Sequence, residues 1–186
     1  MKTKAAVLHR YGSELTVETV DLEEPKKGEV RVKMKAAGVC HSDQHVIDAV
    51  LPLPVPIVLG HEGAGIVDAV GEGVTNVKVG DHVVLNWVPS CTKCYYCRVG
   101  RPDMCEEAAK ISVMGTMLDG TTRFSLNGKR VYQFPLTGTF SEYTIVPESS
   151  AIPIRKDIPF EYAALVGCCV ITGVGAVINT AKVEPG

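Results

Sequence analysis

The pattern Cys91-x2-Cys94-x2-Cys97-x7-Cys105 constrains this chain more than any other stretch of it. Tetrahedral zinc takes four thiolates at about 2.3 Å, and two-residue gaps let consecutive thiolates turn inward on one loop. The longer return to Cys105 brings the fourth ligand from another direction. With all four positions filled by protein, no place is left for water or substrate, so the ion is expected to be structural. It would supply the folding energy that the polar lobe from Pro89 to Cys105 lacks in apolar residues. Two other readings exist. An iron–sulfur run begins the same way but continues with x3-Cys-Pro, whereas here Cys105 is followed by Glu106. Four unbonded thiols, or a redox pair among them, is the plainest alternative.

The chain has 186 residues, seven of them cysteines: these four with Cys40, Cys168 and Cys169. Met1 to Leu8 is too short in its apolar part for a signal peptide, so a cytoplasmic, reducing setting is expected. An odd cysteine count there points to metal or chemistry rather than to a disulfide framework. Apolar residues make up 46% and charged residues 22%, enough for a packed core. A net charge of -2 argues against a nucleic-acid partner. Apolar stretches are broken by Gly, Pro or charge, so no membrane span is expected.

Along the chain, short strands and turns dominate. Lys4 to His9 is strand-like. Glu14 to Val20 alternates with Leu15, Val17 and Thr19 on one face, and Val30 to Ala36 alternates cleanly. Gly38 to Asp48 reads as a loop into a short helix. Pro52, Pro54 and Pro56 exclude helix and central strand around them. Gly63 to Gly71, Gly80 to Asn86 and Thr139 to Val146 read as strands. Asp119-Gly120 and Asn127-Gly128 suggest tight turns. Pro159 to Leu165 starts a helical pattern, and Ile171 to Lys182 reads as a buried helix. The sum is a mainly β, barrel-like domain with a few short helices.

Three further segments carry metal-ligand residue types: Gly38-Val39-Cys40-His41-Ser42-Asp43, Leu59-Gly60-His61-Glu62-Gly63 and Val166-Gly167-Cys168-Cys169. Each alone is weak, since a lone Cys is more often a small buried hydrophobe. Together with Gly80-Asp81-His82-Val83 and the cysteine lobe, in this order, they resemble the zinc-dependent medium-chain alcohol dehydrogenases along essentially the whole chain. Gly115 to Phe124 and Thr139-Phe140-Ser141-Glu142-Tyr143 resemble the class III and nicotinoprotein branch. The resemblance implies a GroES-like, partly open β-barrel over residues 1–150, with the zinc lobe at 89–105. Residues 151–186 would lead toward a nucleotide-binding domain that this chain does not contain.

The resemblance also implies roles. Cys40, His61 and Cys168 would hold a catalytic zinc with a fourth position open. Cys169 is equally soft and adjacent, and the position directly after Gly167 favours Cys168. A zinc-bound alkoxide would pass hydride to NAD(P), and the proton would leave through Ser42 and His45. Glu62 would lie close to the metal. Asp43 would accept the second N–H of His61. His41 stands where many relatives place Arg against the cofactor pyrophosphate, and a neutral imidazole brings less charge. Thr172 would lie near the nicotinamide, with Trp87 and Phe134 walling the substrate pocket. Read without the resemblance, Ser42 is a helix cap, Trp87 and Phe134 are core, and Asp43 and Glu62 form surface ion pairs.

The implied assembly is two zinc ions per chain, a small alcohol or aldehyde as substrate, and a homo-oligomeric full-length parent. No complete G-x-G-x-x-G is present: Gly63-Ala64-Gly65 and Gly173-Val174-Gly175 both lack the third glycine. In the family the cofactor domain follows a turn like Val183-Glu184-Pro185-Gly186. Two functions remain in view. One is the zinc-bearing half of an NAD(P)-dependent alcohol dehydrogenase, inactive by itself. The other is a stand-alone, non-catalytic zinc-binding module.

Overall fold

A computed structural model describes residues 1–184 and 186. The turn read at 183–186 therefore lies partly outside the described residues. Five strands close a small barrel in the order β1–β2–β7–β8–β4: β1 Lys2–Leu8, β2 Thr16–Leu22, β4 Ile57–Val58, β7 Phe124–Leu126 and β8 Lys129–Gln133. A second sheet runs β10–β6–β5–β3–β9: β3 Glu29–Gly38, β5 Glu62–Val70, β6 His82–Leu85, β9 Tyr143–Pro147 and β10 Ala151–Pro153. Three short helices follow the loops: α1 His41–Ile47, α2 Tyr95–Arg98 and α3 Glu106–Ile111.

The alternation read in β3 is real: Val30 and Val32 are fully buried and join Val67, Val83, Leu85 and Val146 in the core of the second sheet. In β2 the strand forms, and it is the row of Val20 and Leu22 that meets the core. Val20 and Leu22 point inward while Val17 is 74% exposed. Period two fixes which residues share a face, not which face meets the core. The Asn127-Gly128 turn joins β7 to β8, with both residues at positive φ (51° and 74°), as a tight hairpin requires.

A long helix, Phe160–Thr180, closes the chain, with two π-type stretches at Val166–Val170 and Ala176–Thr180. Its first turns pack on the second sheet, where Ala163 and Ala164 lie against Ala64. Two expectations fail here. The segment from Ile171 is helical but exposed, with Ile171, Val174, Val177 and Ile178 each about half open to solvent. The same helix, at 21 residues, is long and apolar enough to cross a bilayer, although no such segment was expected. Its scattered glycines broke the apolar run on paper without breaking the helix.

Candidate metal centre

Strand pairing builds the first cluster. β3 and β5 run antiparallel with Gly38 opposite Glu62. Cys40, just past the end of β3, therefore arrives beside His61, just before β5. A Cβ on Gly38 would overlap the Glu62 carboxylate, so the glycine admits that side chain between the strands. The helix supplies the third arm. Gly167 sits against the carbonyl oxygen of Leu85 at the end of β6, a contact that any Cβ would block. That close approach turns Cys168 inward.

One donor atom from each of Cys40, His61, Glu62 and Cys168 lies within 4.8 Å of the others. His61 and Glu62 are buried, and both cysteines are partly buried. Cys169 is exposed; its thiol donates to the Leu165 carbonyl and its N–H donates to Glu62 Oε1 at 3.2 Å. Of the two adjacent thiols, it is Cys168 that joins the cluster.

Asp43 organises this site more broadly than expected. Its Oδ2 accepts the Cys40 N–H at 3.1 Å, and its Oδ1 accepts the Gly60 N–H at 3.0 Å. Its Oδ1 also faces His61 Nδ1 at 3.5 Å, too obliquely for a well-formed hydrogen bond. One buried carboxylate thus ties together the two loops that carry Cys40 and His61. Gly60 holds φ at +91°, and a Cβ there would overlap Thr139 Oγ1. The anchoring of Gly60 by Asp43 and of Glu62 by Thr139 (Oγ1 to the Glu62 carbonyl, 3.2 Å) was not foreseen. The sole sequence signal was Gly60 directly before His61.

The electrostatics of the cluster favour a cation. Burial pushes the Cys168 thiol up to about 12, and the neighbouring Cys40 and Glu62 push in the same direction. Burial also raises the Cys40 thiol, but the Ser42 backbone and hydroxyl, with the His61 imidazole, outweigh it and leave it below its ordinary value. For His61, burial acts downward and Asp43 and Cys40 outweigh it, so the imidazole is held up. Two thiols and a carboxylate converge on a single imidazole. A divalent cation is the group that would neutralise them, and two sulfurs with one nitrogen is a donor set zinc accepts.

The other residues read from sequence distribute around this centre. Ser42 Oγ lies 3.7 Å from Cys40 Sγ. His45 pairs with His41, Nε2 to Nδ1 at 3.0 Å, at the protein surface. Phe134 is buried and stacks on His61 with centroids 4.5 Å apart, and Trp87 meets the same ring edge-on at 5.9 Å. Trp87 and Thr172 share an open cavity of about 870 Å³ with Asn86, Ser90 and Ile171. Phe134 is not part of that cavity and belongs to a core cluster with Leu53 and Leu59.

The second cluster is the lobe. Donor atoms of Cys91, Cys94, Cys97 and Cys105 also lie within 4.8 Å of one another. Thiolates at tetrahedral angles around zinc stand about 3.8 Å apart, and Cys91 and Cys97 are 3.9 Å apart here. Backbone N–H groups of Lys93 and Cys94 donate to Cys91 Sγ, that of Cys91 to Cys105 Sγ, and the Ser90 hydroxyl to Cys97 Sγ. Burial raises the Cys105 thiol, yet backbone N–H groups of Ala108 and Cys91 outweigh it and hold it below its ordinary value. None of the seven cysteines is in a disulfide. The four donors and their N–H shell fit a closed thiolate site.

Removing the tie at Asp43 tests the geometry. Asp43→Ala is expected to weaken zinc at the Cys40–His61–Cys168 cluster by roughly 10- to 100-fold and leave the lobe unchanged. Competition with a chromophoric chelator reads both affinities, and equal loss at the two sites would contradict the placement.

The family model for the alcohol dehydrogenase GroES-like domain matches residues 26–156. The chain is 48% identical to S-(hydroxymethyl)glutathione dehydrogenase of Escherichia coli O157:H7, over 100% of this chain and 51% of that protein. Among solved structures, an alcohol dehydrogenase zinc-binding domain protein from Burkholderia ambifaria superposes with a TM-score of 0.94 at 36% identity, covering 100% of this chain and 50% of that one. Benzyl alcohol dehydrogenase from Acinetobacter calcoaceticus gives 0.90 at 36% identity with the same coverage. The chain spans about half the length of the curated relatives it matches. By the fold, the two cysteine-bearing clusters and the matched span, this chain belongs to the alcohol dehydrogenase GroES-like domain family.

Proposed function

We propose that this chain is the metal-bearing half of a zinc-dependent alcohol dehydrogenase. The observation that carries this reading is the convergence of Cys40, His61, Glu62 and Cys168 beside Ser42. Residues 1–150 form the GroES-like catalytic unit, and 151–186 lead to the half that binds NAD(P). Zinc held by Cys40, His61 and Cys168 would act as a Lewis acid that makes an alcohol hydroxyl acidic. Ser42 can accept that proton and pass it on without holding charge. The His41–His45 pair at the surface would take it next. Phe134 stacks on the His61 ring and Trp87 meets it edge-on, so both would help fix its orientation. His41 and Thr172 would face the cofactor. All seven thiols are free, which supports a reducing, cytoplasmic setting.

The test loads the chain with cobalt, whose thiolate charge-transfer bands report its ligands. Adding a primary alcohol, or an amide that mimics an aldehyde, is expected to shift those bands. Cys40→Ser should abolish the shift and Cys97→Ser should preserve it. Bands indifferent to either ligand would overturn the reading and favour a non-catalytic zinc module.

A further inference from the structure

His41 and His45 lie one turn apart on helix α1, and their rings meet edge-on with Nδ1 and Nε2 3.0 Å apart. The same i, i+4 spacing on one helix face separates the two zinc-binding histidines of an H-E-x-x-H helix. Two metal–nitrogen bonds of about 2.05 Å, set at a right angle or at the tetrahedral angle, hold their nitrogens about 2.9–3.4 Å apart. The observed separation falls within that span. The rings need only swivel for both lone pairs to meet one ion, which would take the place of the proton they now share.

The backbone beneath the pair is fixed. Val46, between the two turns, is fully buried. The N–H groups of Val50 and Leu51 both donate to the His45 carbonyl at 2.9 Å, and Asp43 clamps the start of the helix through the Cys40 N–H. His41 is exposed and His45 half-buried, so an ion reaches both from solvent.

The donor set decides what kind of ion fits. Asp43 is turned inward onto the Cys40 and Gly60 N–H groups, and Asp48 accepts from Gln44 Nε2. Among the described residues no further Cys, His or carboxylate joins the two rings. Two neutral nitrogens without a carboxylate suit nickel, copper or zinc, whereas magnesium and calcium take oxygen ligands. Water would fill the remaining positions, so the ion exchanges readily and is lost with loosely held metal.

We propose that His41 and His45 form a third metal site, an exchangeable one for a divalent transition-metal ion, separate from the two thiolate clusters. An ion there occupies both nitrogens, so the pair can no longer accept a proton. That consequence rests on the relay read under the proposed function; the site itself does not.

The test titrates nickel(II) into the zinc-loaded chain. One nickel per chain is expected to bind without release of zinc. In the 15N-imidazole spectrum the His41 and His45 signals should broaden while those of His9 and His82 persist. His41→Gln, a change at the surface, should weaken nickel by about 100-fold or more, since even an outer partner of a metal ligand is worth about 10- to 100-fold. His45→Gln should match it. Uptake unchanged in both variants would overturn the proposal. So would broadening at His9, which has Glu18 beside it, or nickel entering only as zinc leaves. Nickel uptake is read without alcohol and the cobalt response without nickel, so failure of this site and failure of the proposed function are distinguishable.

Discussion

Cys97→Ser is expected to release one zinc and unfold the lobe from Pro89 to Cys105, leaving the two sheets folded. Helix α2 buries no residue, and neither does the turn Pro102–Met104. Tyr95, Val99 and Met104 are all about half exposed or more. Of the four thiols only Cys105 is fully buried. A segment like this gains almost nothing from apolar burial, so the metal carries its folding. Structural zinc in comparable small sites contributes roughly 10–16 kcal/mol of apparent binding free energy at neutral pH. The sheets have their own cores, around Val7, Val58, Phe124 and Ile145 in one and Val30, Val67 and Leu85 in the other. Limited proteolysis should therefore cut first between residues 90 and 104 in the variant, or in wild type stripped with a chelator. A lobe that stays protected after its zinc is removed would refute this account of it.

Arg123→Met is expected to destabilise the fold by about 3–5 kcal/mol. Arg123 is 1% exposed, and its guanidinium grips Glu29 in a two-point contact, Nε to Oε2 at 2.9 Å and Nη2 to Oε1 at 2.5 Å. Nη2 also reaches Asp119 at 2.8 Å. Glu29 begins β3 and Arg123 precedes β7, so the pair ties the sheet to the barrel. Removing the cation leaves a buried carboxylate without its partner, which costs more than the pair contributes. The double variant Arg123→Met, Glu29→Leu should recover most of the loss, and denaturant midpoints at constant slope measure both. Equal loss in the single and double variants would mean packing matters here, not charge. Asp119 adds a weaker, pH-dependent share. Burial works against its ionisation, but Thr121 and Arg123 outweigh that and hold its carboxyl well below the usual carboxylate range. A depressed pKa in the folded state stabilises above the unfolded value of about 3.9, and the gain fades as pH falls below it. Solvent screening keeps this share small, since the side chain is 43% exposed.

These two sites differ in how far the sequence betrays them. The lobe is legible because its four ligands are close in the chain, and spacing alone encodes tetrahedral closure. Cys40, His61 and Cys168 are far apart in sequence, so only the pairing of Gly38 with Glu62 and the seating of Gly167 on Leu85 bring them together. Family resemblance could point to them; spacing could not. Asp43 faces His61 and in addition clamps the backbones of Cys40 and Gly60. Backbone contacts of that kind leave no residue pattern. The Arg123–Glu29 pair joins residues from opposite ends of the domain and was invisible for the same reason. The helix from Ile171 shows the opposite limit. Its composition fixes helicity and apolarity, while burial depends on what lies against it.

Zinc stoichiometry tests the central claim most directly. The wild-type chain, purified with zinc and freed of loose metal, is predicted to hold two ions. Cys40→Ser should hold one with the lobe intact, and Cys97→Ser should hold one with the Cys40–His61–Cys168 cluster still responsive to cobalt exchange. A wild-type count of one or none, or a single substitution that strips both ions, would contradict two independent zinc sites on this chain.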